Sequence, residues 1–151
     1  PMDFDINLAK DDSKNNPYFY SQYAHVRCCS ILGKKLFDPN KKIEENEIKQ
    51  NFDLVNKILN FPNLLEDFTN ERSPHSLVHY IKDLSASFHT FYEMSPVIGE
   101  NEPIENTRLL LTTATQTIED LKLQIETNRR AKARTQFDDN EEMRRTIDKV
   151  K

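Results

Sequence analysis

Residues 74–94, PHSLVHYIKDLSASFHTFYEM, decide the fold. Leu77, Ile81, Leu84, Phe88 and Phe91 recur at steps of three and four, which places them on one face of a helix. Ser73-Pro74 marks the start: a hydroxyl cap, then a proline whose missing N–H costs nothing in the first turn. Ser95-Pro96 marks the stop. A helix with one apolar stripe must bury it against other elements. The question is what the rest of the chain provides.

It provides more helices. Asn15-Asn16-Pro17 repeats the cap-and-proline start. The segment that follows, PYFYSQYAHVRCCSILGKKLF (17–37), sets Tyr20, Ala24, Arg27, Cys28 and Ile31 on one face, flanked by Phe19, Tyr23 and Val26. Gly33 or the Asp38-Pro39-Asn40 turn ends it. A second helix is expected over 45–60, burying Ile48, Phe52, Val55 and Leu59. Phe61-Pro62 should break it, and a short helix through Leu64, Leu65 and Phe68 should resume over 63–71. A polar loop with Gly99 and Pro103 leads to a last core helix over 104–127, patterned by Leu110, Leu111, Ala114, Ile118, Leu121 and Ile125. Beyond it the chain turns charged, with RRAKAR (129–134) before DDNEE (138–142). At the other end DFDINLA (3–9) could enter a short helix, and Pro1 in place of an initiator Met reads as the middle of a longer polypeptide.

Two glycines cannot furnish the positive-φ turns of a hairpin-rich β protein, and they leave no Gly-rich loop to cradle a phosphate. The expected fold is all-α: a single helical bundle of about five helices over residues 1–127, with a charged C-terminal tail, helical or disordered, over 128–151. The only cysteines, Cys28 and Cys29, are neighbours and form no disulfide framework, so the chain reads as intracellular. No leader and no apolar run of spanning length occurs, which points to the cytoplasm and away from a membrane. The net charge of −4 argues against a non-specific nucleic-acid binder, DNA included; RNA would have to be met by a local patch.

Catalytic and metal chemistry find little support. His75 and His79 have the i, i+4 spacing of a helical zinc pair, but Ser76 stands where a zinc hydrolase keeps its glutamate, so no metal site is expected. Cys28 or Cys29 beside His25 lacks an orienting third group, and both cysteines are expected to serve as small packing residues. The aromatics Tyr18, Phe19, Tyr20 and Tyr23 carry more information. Arg27, Lys34 and Lys35 follow them, with no acid between Pro17 and Phe37. Rings stack on unstacked bases, although aromatics at helical spacing also fill cores. Phe91 fits the buried stripe of its helix, whereas Tyr92 lies to one side of it.

Taken in order, DFDINLAK, NPYFYSQYAHVRCCSIL and SPHSLVHYIKDLSASFHTFYEMSPVIG resemble the C-terminal region of arginyl-tRNA synthetases, with its DALR-type anticodon-binding fold. Gln-Tyr-Ala-His-x-Arg (22–27) and the Pro-His to Phe-Tyr run (74–92) carry the resemblance, which covers residues 3 to about 125. It implies a class I enzyme that ligates arginine to tRNA(Arg) using ATP with magnesium. Its His-Ile-Gly-His and Lys-Met-Ser-Lys-Ser signatures do not occur here, so the catalytic domain is expected N-terminal to this segment in the same polypeptide. The segment itself should hold no catalytic residue and no cofactor, and should bind the anticodon stem-loop of tRNA(Arg). By the same resemblance Tyr23 and Tyr92 face bases and Arg27 positions the loop backbone. Family chains commonly end with a short segment finishing in Met; here LKLQIETNRRAKAR runs on, and Met143 is not equivalent. The alternative expectation is a helical protein-interaction module that binds no RNA. A related synthetase of the same fold, such as one for cysteine, fits the Gln-Tyr-Ala-His-x-Arg signature less well.

Overall fold

A computed structural model describes residues 17–71 and 74–150. The expected segment at 3–9 and the Asn15-Asn16 and Ser73 caps lie outside the described residues. Every regular element described is a helix: α1 (Pro17–Leu32), α2 (Glu45–Gln50), α3 (Phe52–Glu71), α4 (Pro74–Met94) and α5 (Glu102–Val150). Among the described residues no helix is long and apolar enough to cross a membrane. Two units are distinguished, one reaching Glu119 and one beginning at Asp120.

In the first unit α4 is central, packed against α1 and α3. Leu77, Ile81, Leu84, Phe88 and Phe91, the stripe expected from the sequence, are all at most 3% exposed. Ala24, Cys28 and Ile31 of α1, Leu54 and Phe61 of α3, and Leu109, Leu111 and Ile118 of α5 are buried with them. At about 1.5–3 kcal/mol for each large apolar side chain fully buried, this burial is the main force holding the helices together. The ends are capped locally. The Gly33 N–H donates to the Cys29 carbonyl (2.8 Å) where α1 stops. Asp38 Oδ1 accepts from the Asn40 N–H (2.9 Å) in the turn that follows. Asn101 caps α5, its side chain accepting from the Ile104 N–H (3.4 Å) and its carbonyl from the Glu105 N–H (3.0 Å).

The helix expected over 45–60 is divided. Asn51 leaves helical geometry (φ −103°, ψ 31°), separating α2 from α3. Phe52 and Leu59 are exposed (67% and 71%), Ile48 and Val55 are half-buried, and Leu54 and Phe61, in phase with buried Glu47, lie inside. Pro62 does not break α3, which runs through it. Its ring removes one helical hydrogen bond, but the packing on both sides holds. Phe61 stacks on Tyr80 (5.7 Å between ring centres), whose phenol donates to the Lys57 carbonyl (2.7 Å). The last core helix also differs in detail. Leu121 is 38% exposed and Leu110 and Ala114 are half-buried, while Thr107, Thr112 and Thr115 are fully buried. Each of these hydroxyls donates to the carbonyl four residues back (2.7–2.9 Å), which lets a polar side chain pack as an apolar one. Cys28 packs as expected; Cys29, one position round the helix, is exposed.

The second unit is helical through Val150 and carries Leu123, Phe137 and Met143 at 60% exposure or more. Lys122 and Glu126 pair at i, i+4 (3.7 Å), the kind of contact that supports a solvated helix.

Candidate nucleic-acid interface

Three residues four and more positions apart meet at one place. Tyr23 and Arg27 are successive turns of α1, so their side chains lie side by side. Tyr92 comes from the last turn of α4, beside the buried stripe. The Arg27 guanidinium donates to the Tyr23 phenol oxygen. Its carbon lies 4.8 Å from the centre of the Tyr23 ring and 4.2 Å from that of Tyr92. Both are cation–π distances. The structure thus brings together all three residues singled out in the sequence.

The rings are braced from behind. His89, 8% exposed, lies against Tyr23 (5.3 Å, interplanar angle 26°) and Tyr20 (4.6 Å), with Nε2 3.3 Å from the Tyr20 carbonyl. Phe88 lies 6.4 Å from Tyr92. Burial, with the charge of Glu93, pushes the Tyr20 phenol above its ordinary 10.0 and keeps it neutral. Burial works against the Arg27 charge, but the hydrogen bond to Tyr23 and the tyrosine oxygens outweigh it, so the guanidinium stays a permanent cation, raised above its ordinary range. Tyr23 remains 49% exposed. Packing and presentation are thus combined: the Tyr23 ring stacks on a buried histidine while about half of the residue stays exposed.

They open onto a groove of about 620 Å³. One wall is Tyr23, Val26, Arg27, Ser30 and Ile31 of α1, with Lys34 just beyond its end. The other is Tyr92 with Pro96, Val97 and Ile98. Both charges in this lining are positive, in a chain of net charge −4.

The loop that forms the second wall is fixed by residues sequence reasoning did not single out. Arg108, on α5, donates through Nε and Nη2 to the two oxygens of Glu47 (2.8 and 2.9 Å) and through Nη1 to the Pro96 carbonyl (2.7 Å). Arg108 is 8% exposed and Glu47 5%. Glu105 accepts from the Gly99 N–H (2.8 Å) and from Lys35. That ammonium and the Gly99 amide hold its carboxyl below the ordinary 4.5. Gly99 has φ 105°, a conformation that glycine takes without strain. One signal was available: Arg108 stands in phase with Leu111, Thr115 and Ile118, so a cation sat on a buried stripe and required an acid.

Other candidates are not assembled. Cys29 Sγ lies 3.8 Å from His25 Nδ1 and accepts from the Gln116 amide (3.1 Å), on an exposed face. His79 is exposed, and the side chain of His75 lies outside the described residues. Among the described residues no group of three or more His, Cys, Asp or Glu could hold a metal ion.

The family model for the DALR anticodon binding domain matches residues 21–125. An arginine–tRNA ligase of Bacillus pumilus is 40% identical over 122 residues, covering 76% of this chain and 22% of that protein. One from Halorhodospira halophila is 33% identical over 125 residues, covering 78% and 21%. A crystal structure from Campylobacter jejuni, described as an arginyl-tRNA synthetase, superposes with a TM-score of 0.58 at 27% identity, over 80% of this chain and 28% of that one. The chain therefore spans about a fifth of the length of these curated relatives. The family match runs from α1 into α5 and takes in every residue of the tyrosine–arginine cluster: the chain belongs to the DALR anticodon-binding domain family.

Proposed function

We propose that this chain is the anticodon-binding part of an arginine–tRNA ligase, and that the groove between α1 and α4 receives the anticodon loop of tRNA(Arg). The observation that carries the reading is the lining: two tyrosine rings and two cations, with no acid among the described lining residues. Such a surface suits unstacked bases on an anionic backbone. Tyr23 and Tyr92 offer ring faces, and Arg27 sits between them where a loop phosphate or a base can exchange for its present contacts. The binding part is taken as residues 1–127 and the charged tail as 128–151.

Arginine activation, with ATP and magnesium, belongs to a catalytic domain elsewhere in the cytoplasmic enzyme. The nucleotide-binding signatures of that chemistry are not in this sequence. This chain then contributes recognition, holding the far end of the tRNA while the acceptor end is charged.

A titration of the chain with a tRNA(Arg) anticodon stem-loop tests the reading. Binding should be saturable and should weaken as salt rises, with a slope set by the few phosphates contacted. A stem-loop that fails to bind even at low salt overturns it, and favours a helical protein-interaction module.

A further inference from the structure

The second unit carries a charge pattern that the groove does not use. Over 120–151 nine Lys and Arg stand against seven Asp and Glu, in a chain whose net charge is −4. The cations are concentrated: Arg129, Arg130, Lys132 and Arg134 fall within six residues, and no acid stands between Glu126 and Asp138. All four are exposed on α5, beyond the family match, which ends at residue 125. Helical spacing sorts them. Arg130, Arg134 and Phe137 stand at i, i+4 and i+7, so they follow one another along a single face. Phe137 is 65% exposed. A solvated helix is commonly laced with opposite charges at i, i+4, as Lys122 and Glu126 are just before this stretch. Here two like charges stand one turn apart and repel each other. Among the described residues Arg130, Lys132 and Arg134 enter no ion pair, not even Arg134 with Asp138 one turn on. A polyanion laid along the face would relieve that repulsion.

We propose that this face of the tail helix is a separate RNA-contact surface, with Arg130 and Arg134 on phosphates of the tRNA outside its anticodon loop and the Phe137 ring against a neighbouring nucleotide. The choice of partner rests on the reading of the chain as a tRNA binder; the surface itself shares no residue with the groove. Charge complementarity points to a polyanion. The ring argues for a nucleic acid over an acidic protein segment, since cations beside an exposed aromatic meet phosphate and base together. Two guanidiniums one turn apart hold phosphates without reading a base edge. The contact is therefore indifferent to sequence and adds affinity, leaving the choice of anticodon to the groove. Asp138-Asp139-Asn140-Glu141-Glu142 follows at once, so the cationic stretch ends sharply at Phe137.

The test titrates two RNAs against the full chain: whole tRNA(Arg), and the same tRNA with its anticodon loop scrambled. The variants are the pair Arg130→Gln/Arg134→Gln, its charge-keeping counterpart Arg130→Lys/Arg134→Lys, Phe137→Ala and Tyr92→Ala, with circular dichroism and sedimentation alongside. The glutamine pair should weaken both RNAs alike, about tenfold at low salt, and lower the salt slope by about two. The lysine pair should keep the wild-type slope, which separates loss of charge from any change in helix content. Phe137→Ala should weaken both RNAs and leave the slope unchanged, whereas Tyr92→Ala should weaken tRNA(Arg) alone. If the glutamine pair binds both RNAs with wild-type affinity and slope while Tyr92→Ala weakens tRNA(Arg), the tail surface is wrong and the anticodon reading stands. If the glutamine pair weakens both RNAs and Tyr92→Ala weakens neither, the tail surface stands and the anticodon reading falls. A glutamine pair that leaves RNA binding intact but abolishes a salt-sensitive dimer assigns the face to the acidic run of a second copy, and overturns the proposal. Wild type that binds neither RNA at low salt overturns both.

Discussion

Two grooves flank α4, and their linings differ in charge and in aromatic content. On the α1 side the lining is Tyr23, Tyr92, Arg27, Lys34 and aliphatics. On the α3 side a groove of about 310 Å³ is lined by Gln50, Asn51, Asp53, Ser87, Thr90 and Met94, among others, and its one charge is the carboxylate of Asp53. Shape does not separate them, since both are open clefts between a shared helix and a neighbour. Chemistry does. Lys57 and Ser87 donate to Asp53, holding its carboxyl below the ordinary 3.8, so it is an anion at neutral pH, paired with Lys57, and the lining offers no unpaired cation to a phosphate. One helix thus presents a cationic aromatic edge on one side and, on the other, a hydroxyl-bearing edge whose one carboxylate is paired, and on the proposed reading a polyanion favours the first.

The largest effect should come from the support of the first groove. Arg108→Ala leaves Glu47 buried without its partner, and breaking a buried pair in this way costs about 3–5 kcal/mol. The variant should melt far below wild type, and any folded fraction should bind RNA poorly because the Pro96–Gly99 wall is released. Next come the rings. Tyr23→Ala or Tyr92→Ala should weaken stem-loop binding by about 1–3 kcal/mol, one to two powers of ten. Phe should be tolerated better than Ala if stacking dominates. Thr90→Ala and Met94→Ala, in the α3-side groove, should bind as wild type does; a loss there equal to that of the tyrosines would erase the distinction between the grooves. Arg27→Ala should reduce affinity together with the salt slope, as a phosphate contact does.

Two smaller effects concern stability. Glu105 and Asp53 both have folded-state pKa values below their ordinary ones, the first mainly through Lys35 and the second mainly through Lys57. A depressed carboxylate stabilises the fold fully above its unfolded-state pKa and loses that contribution as pH falls through the folded-state value. Melting temperature should therefore fall below about pH 4.5, and the fall should be shallower in Glu105→Gln, which has already lost the charge. The cysteines give the smallest effect. Cys28→Ser buries a hydroxyl in the core and should cost about 1–3 kcal/mol, whereas exposed Cys29→Ser should stay within about 0.5 kcal/mol, and neither should change RNA affinity.

Much of this architecture was legible in the sequence, and the reasons differ by element. The stripe of α4 was readable because five large apolar residues keep one phase between two Ser-Pro boundaries. The cluster of Tyr23, Arg27 and Tyr92 was readable through the resemblance and, for the first two, through i, i+4 spacing. The buried face of α3 was not, because apolar residues stand on two faces of that helix, and the buried pair, Leu54 and Phe61, continues the phase of a charged residue, Glu47, while Phe52 and Leu59 face outward. Nor was the persistence of α3 through Pro62, where packing of Phe61 on Tyr80 outweighs a local rule. On α5 the threonines defeated a reading based on apolar letters, since a hydroxyl satisfied by its own helix packs like a methyl group. Arg108 could be placed on a buried stripe, but not its partner, because Glu47 stands 61 residues away and no local pattern joins the two.

The most direct test of the central claim is a map of amide chemical-shift changes as the anticodon stem-loop of tRNA(Arg) is titrated into the isotopically labelled chain. Shifts concentrated at residues 23–34 and 92–98, with residues 50–54 and 86–90 unmoved, are the predicted result. Saturable binding with its shifts centred on Asp53, Ser87 and Thr90, and none at Tyr23, Arg27 or Tyr92, would place the RNA in the other groove and contradict the account.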